Sequence, residues 1–154
     1  MNQKLLECVP NFSEGRNTEI INKIVNTIKT SNGVTLLDVD PGKDTNRTVV
    51  TFVGEPEAVI EAAFKLIQKT TELINMENHE GEHPRMGATD VCPLIPISGI
   101  SMDEAVEYSI QLAKKVSNEL DVPTYLYEYS ATKKYRKNLA DIRIGEYEGL
   151  KNKL

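Results

Sequence analysis

The chain has 154 residues, the length of one domain when domains run roughly 100 to 200 residues. Hydrophobic residues make up 40% of it, which supports a packed core and argues against disorder. Its 18 Lys and Arg against 23 Asp and Glu leave a net charge of −5, so a nucleic-acid backbone is a poor partner and any anionic ligand needs a locally basic site.

No stretch approaches the ~18 uninterrupted apolar residues of a membrane span. The N-terminal MNQKLLECVPNF lacks the basic-then-apolar order of a signal peptide, so a cytoplasmic protein without a membrane partner is expected. Cys8 and Cys92 are too few for a disulfide framework and are expected to be buried thiols.

Residues 4–10, KLLECVP, read as a short strand. Asn17 is placed to cap a helix over 18–29, where Ile21, Ile24, Val25 and Ile28 recur at helical spacing, and Asn32-Gly33 closes it. The apolar runs 34–40 and 46–53 flank a Pro41-Gly42 turn signal and predict two antiparallel strands. Residues 56–74 carry Ile60, Ala63, Phe64 and Ile67 on one face, with Pro56 in the first turn. Residues 75–88 have no period and predict a loop. TDVCPLIPI at 89–97 follows as a strand whose prolines mark an edge or an irregular position. Ser101 and Glu104 form a capping-box pattern for a third helix, with Val106, Ser109, Ile110, Ala113, Val116 and Leu120 on its buried face. Pro123 stops that helix before a strand at TYLYEY, residues 124–129.

The order of elements predicts an α+β protein: a ferredoxin-like βαββαβ sandwich with a mostly antiparallel sheet, helices on one face, and an extra C-terminal helix and strand. In that topology the first strand lies beside the fourth, which makes Cys8 and Cys92 neighbours. No repeat, low-complexity stretch or linker divides the chain, so 1–154 reads as one domain.

Both histidines fall in the aperiodic loop, as His79-Glu80-Gly81-Glu82-His83. The string fits the zinc-protease pattern H-E-x-x-H, which requires both imidazoles on one helical face. Gly81 weakens a helix there, Pro84 pushes His83 out of the α region, and no third ligand is assigned, so no metal is expected. General acid-base chemistry is the competing reading. His83 is held extended by Pro84, with Glu82 beside it to orient the ring and Arg85 to engage an anionic substrate, while His79 is expected to be solvated. On spacing alone, a loop histidine bonded to backbone fits His83 equally well. A second polar group comprises Asn11, Arg16, Asp38, Asp40, Asn46 and Arg47, all at strand ends; Asp38 and Asp40 share a face if the strand is regular. Turn and capping duties would explain these residues equally well. Lys133, Lys134, Arg136 and Lys137 form a basic run that reads as a solvated face or an attractor for a polyanionic tail.

Taken together, CVPNFSEGRN at 8–17, LLDVDPGKDTNRTVVTFVGEPE at 36–57, GEHPRMGATDVCPLIP at 81–96, ELDVPTYLY at 119–127 and IRIGEYEGL at 142–150 resemble the glutamate formimidoyltransferase family. The likeness runs from end to end and corresponds to the N-terminal subdomain of that family's formiminotransferase unit. It implies transfer of the formimidoyl group of N-formimidoyl-L-glutamate to N5 of tetrahydrofolate in histidine degradation, with tetrahydrofolate as co-substrate and no metal. It places the catalytic histidine of the GEHPRMG string at His83, and Asn11, Asp40 and Arg47 along the substrate tunnel. Amine addition to an amidine gives a tetrahedral intermediate whose collapse moves protons between two nitrogens, which one imidazole can do in turn. Both substrates carry carboxylates, for which Arg47 or Arg85 offers bidentate donors.

The family continues into a second subdomain that closes the tunnel, so the C-terminal subdomain is expected to be absent here. The expected partner is a complementary C-terminal subdomain or a second copy in a homodimer. The alternative is a noncatalytic folate or amino-acid-derivative binding module, since fold does not fix function. RNA binding is disfavoured because NRTVVTFV lacks the spaced aromatics of an RNA-stacking strand.

Overall fold

Alternation decides the sheet: Leu6, Cys8, Phe12, Val50 and Phe52 are fully buried, while the residues between them along the strands are not. A computed structural model describes residues 3–133, 136–143 and 146–150. In chain order its elements are β1 (Leu5–Cys8), β2 (Asn11–Phe12), α1 (Thr18–Lys29), β3 (Val34–Gly42), β4 (Arg47–Gly54), α2 (Pro56–Leu73), β5 (Thr89–Val91), β6 (Leu94–Ser98), α3 (Met102–Leu120), α4 (Leu139–Ile142) and α5 (Glu146–Leu150). The fold is α+β, with one antiparallel sheet and three main helices.

The ladder is interrupted at Pro10, which ends the first predicted strand, and at Pro93, inside the fourth. β1 and β2 lie end to end beside β4, and β6 and β5 lie end to end beside them. Val9-Pro10 and Cys92-Pro93 face each other at the breaks, because proline has no N–H for the ladder. The carbonyls there are still used: Val9 N–H donates to Pro93 O at 3.3 Å and Val50 N–H to Pro10 O at 3.0 Å. β3 pairs along the other edge of β4. The first predicted strand therefore lies beside the fourth, and Cys8 Sγ is 3.5 Å from Cys92 Sγ, both as free thiols.

Ile24 and Ile28 of α1, Val59 and Leu66 of α2, and Leu112 and Val116 of α3 close over one face of the sheet. The predicted caps form. Asn17 Oδ1 accepts from Glu19 and Ile20 N–H, and Ser101 and Glu104 make the reciprocal capping box at 3.1 Å in both directions. Ser101→Ala is expected to destabilise the protein by about 1 kcal/mol, seen as a lower urea midpoint at unchanged slope.

The predicted strand at 124–129 does not form. Ser117 Oγ on α3 donates to Val122 O at 3.3 Å and meets Thr124 Oγ1 at 3.2 Å, so the segment's polar groups turn to the helix instead of a strand edge. At Glu128 the backbone enters the left-handed region, φ 53, and a 3-10 turn follows over Glu128–Ser130. Two short helices, α4 and α5, follow further along the chain, and Lys134 of the basic run lies outside the described residues. No helix of the described residues is long and apolar enough to cross a membrane.

The second face of the sheet carries no helix among the described residues. Leu37, Ile95 and Ile97 are exposed; Glu7, which pairs with both Val53 and Ile95, lies between buried Leu6 and Cys8 and so points to this open face.

Candidate active site

The histidine loop is not helical. A 3-10 turn at Met76–Asn78, capped by Asn75, gives way to irregular chain that lies against the β3–β4 turn. Glu82 N–H donates to Asp44 O at 3.0 Å, Asn46 Nδ2 to Glu80 O at 3.0 Å, and His79 Nε2 to Asn46 O at 2.9 Å. Asn46 also accepts from Gly15 N–H at 2.9 Å and sits in the left-handed region, φ 51, which asparagine tolerates better than most residues. One buried amide thus joins three segments of chain. The loop can approach this closely because of Gly81, where a Cβ would stand 2.3 Å from Thr45 O.

Each histidine ring has one donor-only and one acceptor-only partner, which fixes its tautomer. His79 Nδ1 accepts from Arg85 Nε–H at 3.0 Å and its Nε2–H donates to Asn46 O. His83 Nδ1–H donates to Pro84 O at 2.6 Å, and its Nε2 lone pair faces Arg47 Nη1 at 2.5 Å. The two neutral rings carry opposite tautomers, and the helical premise of H-E-x-x-H is not met. His79 is buried where a solvated ring was expected, because Arg85 is buried behind it.

Arg85 was expected to face substrate. Every N–H of its guanidinium has a protein acceptor: Nε meets His79 Nδ1, Nη2 reaches His79 O at 3.1 Å and Glu148 at 2.7 Å, and Nη1 reaches Glu146 at 3.1 Å and Glu148 at 2.8 Å. Glu148 beside it holds the guanidinium charged, and Arg85 in turn holds the Glu148 carboxyl below its usual range. Glu82, expected to orient the His83 ring, is exposed; the ring's recorded partners are Arg47 and the Pro84 carbonyl.

The other predicted residues converge on the open face. Asp40 pairs with Val49, Val49 with Asn11, and Asn11 with Val91, which makes one row across four strands. Arg47, two residues from Val49, projects to the same side in the next row, opposite Gly42. Asp38 and Asp40 share this face as expected, Asp38 opposite Thr51. Asn11 is buried and donates to Val9 O at 3.1 Å. Arg16 Nε donates to Lys43 O at 2.8 Å and buttresses the turn. Asn11, Asp40, Arg47 and His83 therefore gather at one end of the sheet face that carries no helix among the described residues.

Asn46 takes the structural turn role that was one of the two readings open for it, whereas sequence reasoning did not find His79 as scaffold, nor Asp90, whose nearly inaccessible carboxylate accepts from Met86 N–H at 2.5 Å and pairs with Arg143. For His79 the one signal was its place in the aperiodic stretch 75–88; Asp90, in a segment read as a strand, gave none. A separate cavity of about 450 Å³ lies on the helix side, with Cys92, Leu94, Leu112, Val116, Tyr127 and Arg143 in its wall. Burial there pushes the Tyr127 phenol up to about 12. None of the four open-face residues lines it.

Gly81→Ala is expected to lower any turnover that depends on His83 up to about 100-fold, because the loop must lift off Thr45 and an ångström of misplacement suffices for that. The far-ultraviolet spectrum should stay native, since the loop carries no regular structure.

The family model described as formiminotransferase domain, N-terminal subdomain, matches residues 5–154. The chain is 54% identical over 151 residues to the formimidoyltransferase-cyclodeaminase of Dictyostelium discoideum, covering 98% of this chain and 28% of that protein. It is 50% identical over 151 residues to the glutamate formimidoyltransferase of Streptococcus pyogenes serotype M1, covering 98% of this chain and 50% of that one. With the glutamate formimidoyltransferase of Thermoplasma acidophilum the identity is 43% over 149 residues, 96% of this chain and 49% of the relative. The chain thus spans about half, or less, of the length of these curated relatives.

Proposed function

Since the chain belongs to the formiminotransferase family and matches its N-terminal subdomain, we propose that it supplies the acid-base part of formimidoyl transfer from N-formimidoyl-L-glutamate to N5 of tetrahydrofolate. The observation that carries this reading is the His83 ring, fixed as the Nδ1–H tautomer by Pro84 O, with Nε2 turned to Arg47 on the face that also bears Asn11 and Asp40.

In this reading N5 of tetrahydrofolate adds to the amidine carbon, and His83 Nε2 takes the N5 proton. The tetrahedral intermediate collapses when the same nitrogen returns that proton to the departing glutamate nitrogen and the old C–N bond breaks. Such a group supplies typically ~10² to 10⁴ in rate, and the rest comes from holding two substrates together. Arg47 is the carboxylate-binding cation of the site. Arg85, with its donors committed to Glu146, Glu148 and His79, acts on the loop and not on substrate. Asp40, exposed on the same face, is suited to a cationic amidine.

The uncovered face, with exposed Leu37, Ile95 and Ile97, is suited to closure by a second subdomain such as the extra length of the relatives could provide. Free thiols at Cys8 and Cys92 suit a reducing compartment such as the cytoplasm. The test mixes this chain with the C-terminal half of the Streptococcus pyogenes relative, formimidoylglutamate and tetrahydrofolate. Appearance of N5-formimidoyltetrahydrofolate is expected; substrate binding without any turnover overturns the reading in favour of a binding module.

A further inference from the structure

His83 Nε2 is occupied in the free protein. Arg47 Nη1 donates to its lone pair, and a lone pair engaged in that way cannot at the same time take a proton from an amine. The rest of the Arg47 guanidinium has no protein acceptor among the described residues, and the residue is only half-buried. Arg85, six residues beyond His79 in the same loop, is the opposite case, with all its donors spent inside the protein. One arginine of the site is therefore closed to ligands, and the other presents an open edge while covering the base.

We propose that Arg47 is a carboxylate-operated cap on His83: a substrate carboxylate that takes the guanidinium draws it off Nε2 and uncovers the base. The physical ground is the ranking of acceptors. A neutral imidazole offers Arg47 one lone pair, whereas a carboxylate offers two oxygens, opposite charge and a bidentate geometry that matches the guanidinium fork. Arg47 stands on the same face as Asp40, Val49 and Asn11, one row away, so the carboxylate arrives on the face where the amidine would lie. The cap moves part of the specificity from binding to chemistry. A donor whose carboxylate is replaced by an amide loses turnover as well as affinity, because its base stays covered.

The inference rests on the functional reading of His83 given above, yet the cap itself belongs to the free chain and is tested without turnover. The chain is labelled with ¹⁵N in its histidine rings and titrated with glutarate and, in parallel, with neutral glutaramide. Glutarate is expected to shift the His83 Nε2 resonance and leave both His79 nitrogens in place, since Arg85 and Asn46 hold that ring; glutaramide is expected to move none. In Arg47→Gln the free protein should already show Nε2 at the shifted position, with no further response to glutarate. Should Arg47→Gln fail to fold, Arg47→Lys, which keeps the charge but not the two-pronged edge, should give an attenuated glutarate shift. A wild-type Nε2 resonance that stays put throughout the glutarate titration, or moves equally with glutaramide, overturns the cap. Full transfer by a His83→Ala variant would remove the functional reading and leave the titration intact, so the two failures are distinguishable.

Discussion

His83→Ala is expected to lower formimidoyl transfer by ~10² to 10⁴ in kcat while leaving the free energy of urea unfolding within about 0.5 kcal/mol of wild type. The dissociation of the two effects follows from what the ring touches. Its partners are Arg47, a half-buried side chain with no other protein acceptor among the described residues, and the carbonyl of its own neighbour Pro84. The loop is anchored elsewhere, through His79, Asn46, the Glu82 N–H and Arg85. His79→Ala should behave the other way round. It leaves the Asn46 carbonyl and the Arg85 Nε–H without partners in a buried place, so stability falls first and activity with it. Both variants are measured by initial rates with the supplemented chain and by urea unfolding. Transfer at the wild-type rate in His83→Ala would assign the proton work to another group.

Much of this scaffold was legible in the residues. Ile21, Ile24, Val25 and Ile28 repeat with the helix period and are buried in α1, and the Ser101–Glu104 box forms as written. Pro93 announces an irregular strand and does break the ladder, as Pro10 does at the end of the first one. The miss at 124–129 has a physical cause. Alternating Tyr and Leu satisfy a strand pattern locally, but a strand also needs an edge to pair with, and Ser117 and the left-handed Glu128 divert this one to α3. In the site, Gly81 and Pro84 point to an irregular loop because their effects are local to the backbone. The partners of that loop are not local: Arg47 lies 36 residues from His83, and Glu146 and Glu148 lie 61 and 63 residues from Arg85. An arginine beside a histidine in sequence reads as a substrate hook, and only the tertiary structure shows which of two arginines has donors left over.

Asn46→Ala is expected to destabilise the protein by about 4 kcal/mol, a large share of the 5 to 15 kcal/mol that holds an ordinary domain together. Two links go at once, the buried acceptor for Gly15 N–H and the part-buried donor to Glu80 O, at ~1 to 3 kcal/mol each, the second nearer the low end because water reaches Glu80. The left-handed backbone adds roughly 1 kcal/mol for a residue with a Cβ and no local polar group. Two further variants separate these contributions. Asn46→Gly relieves the backbone and should recover about 1 kcal/mol over Ala while still lacking both links. Asn46→Asp keeps the acceptor toward Gly15 but sets a carboxylate oxygen against the Glu80 carbonyl in a buried place, so it should be no better than Ala despite its near-identical shape. Arg47 follows Asn46 directly in the chain, so all three should also disturb the Arg47–His83 contact and reduce transfer in the order of their instability. Urea unfolding of the four proteins decides the matter. An Ala variant within about 1 kcal/mol of wild type, or an Asp variant that matches Asn, would mean that the loop is held to the β3–β4 turn by something other than this amide.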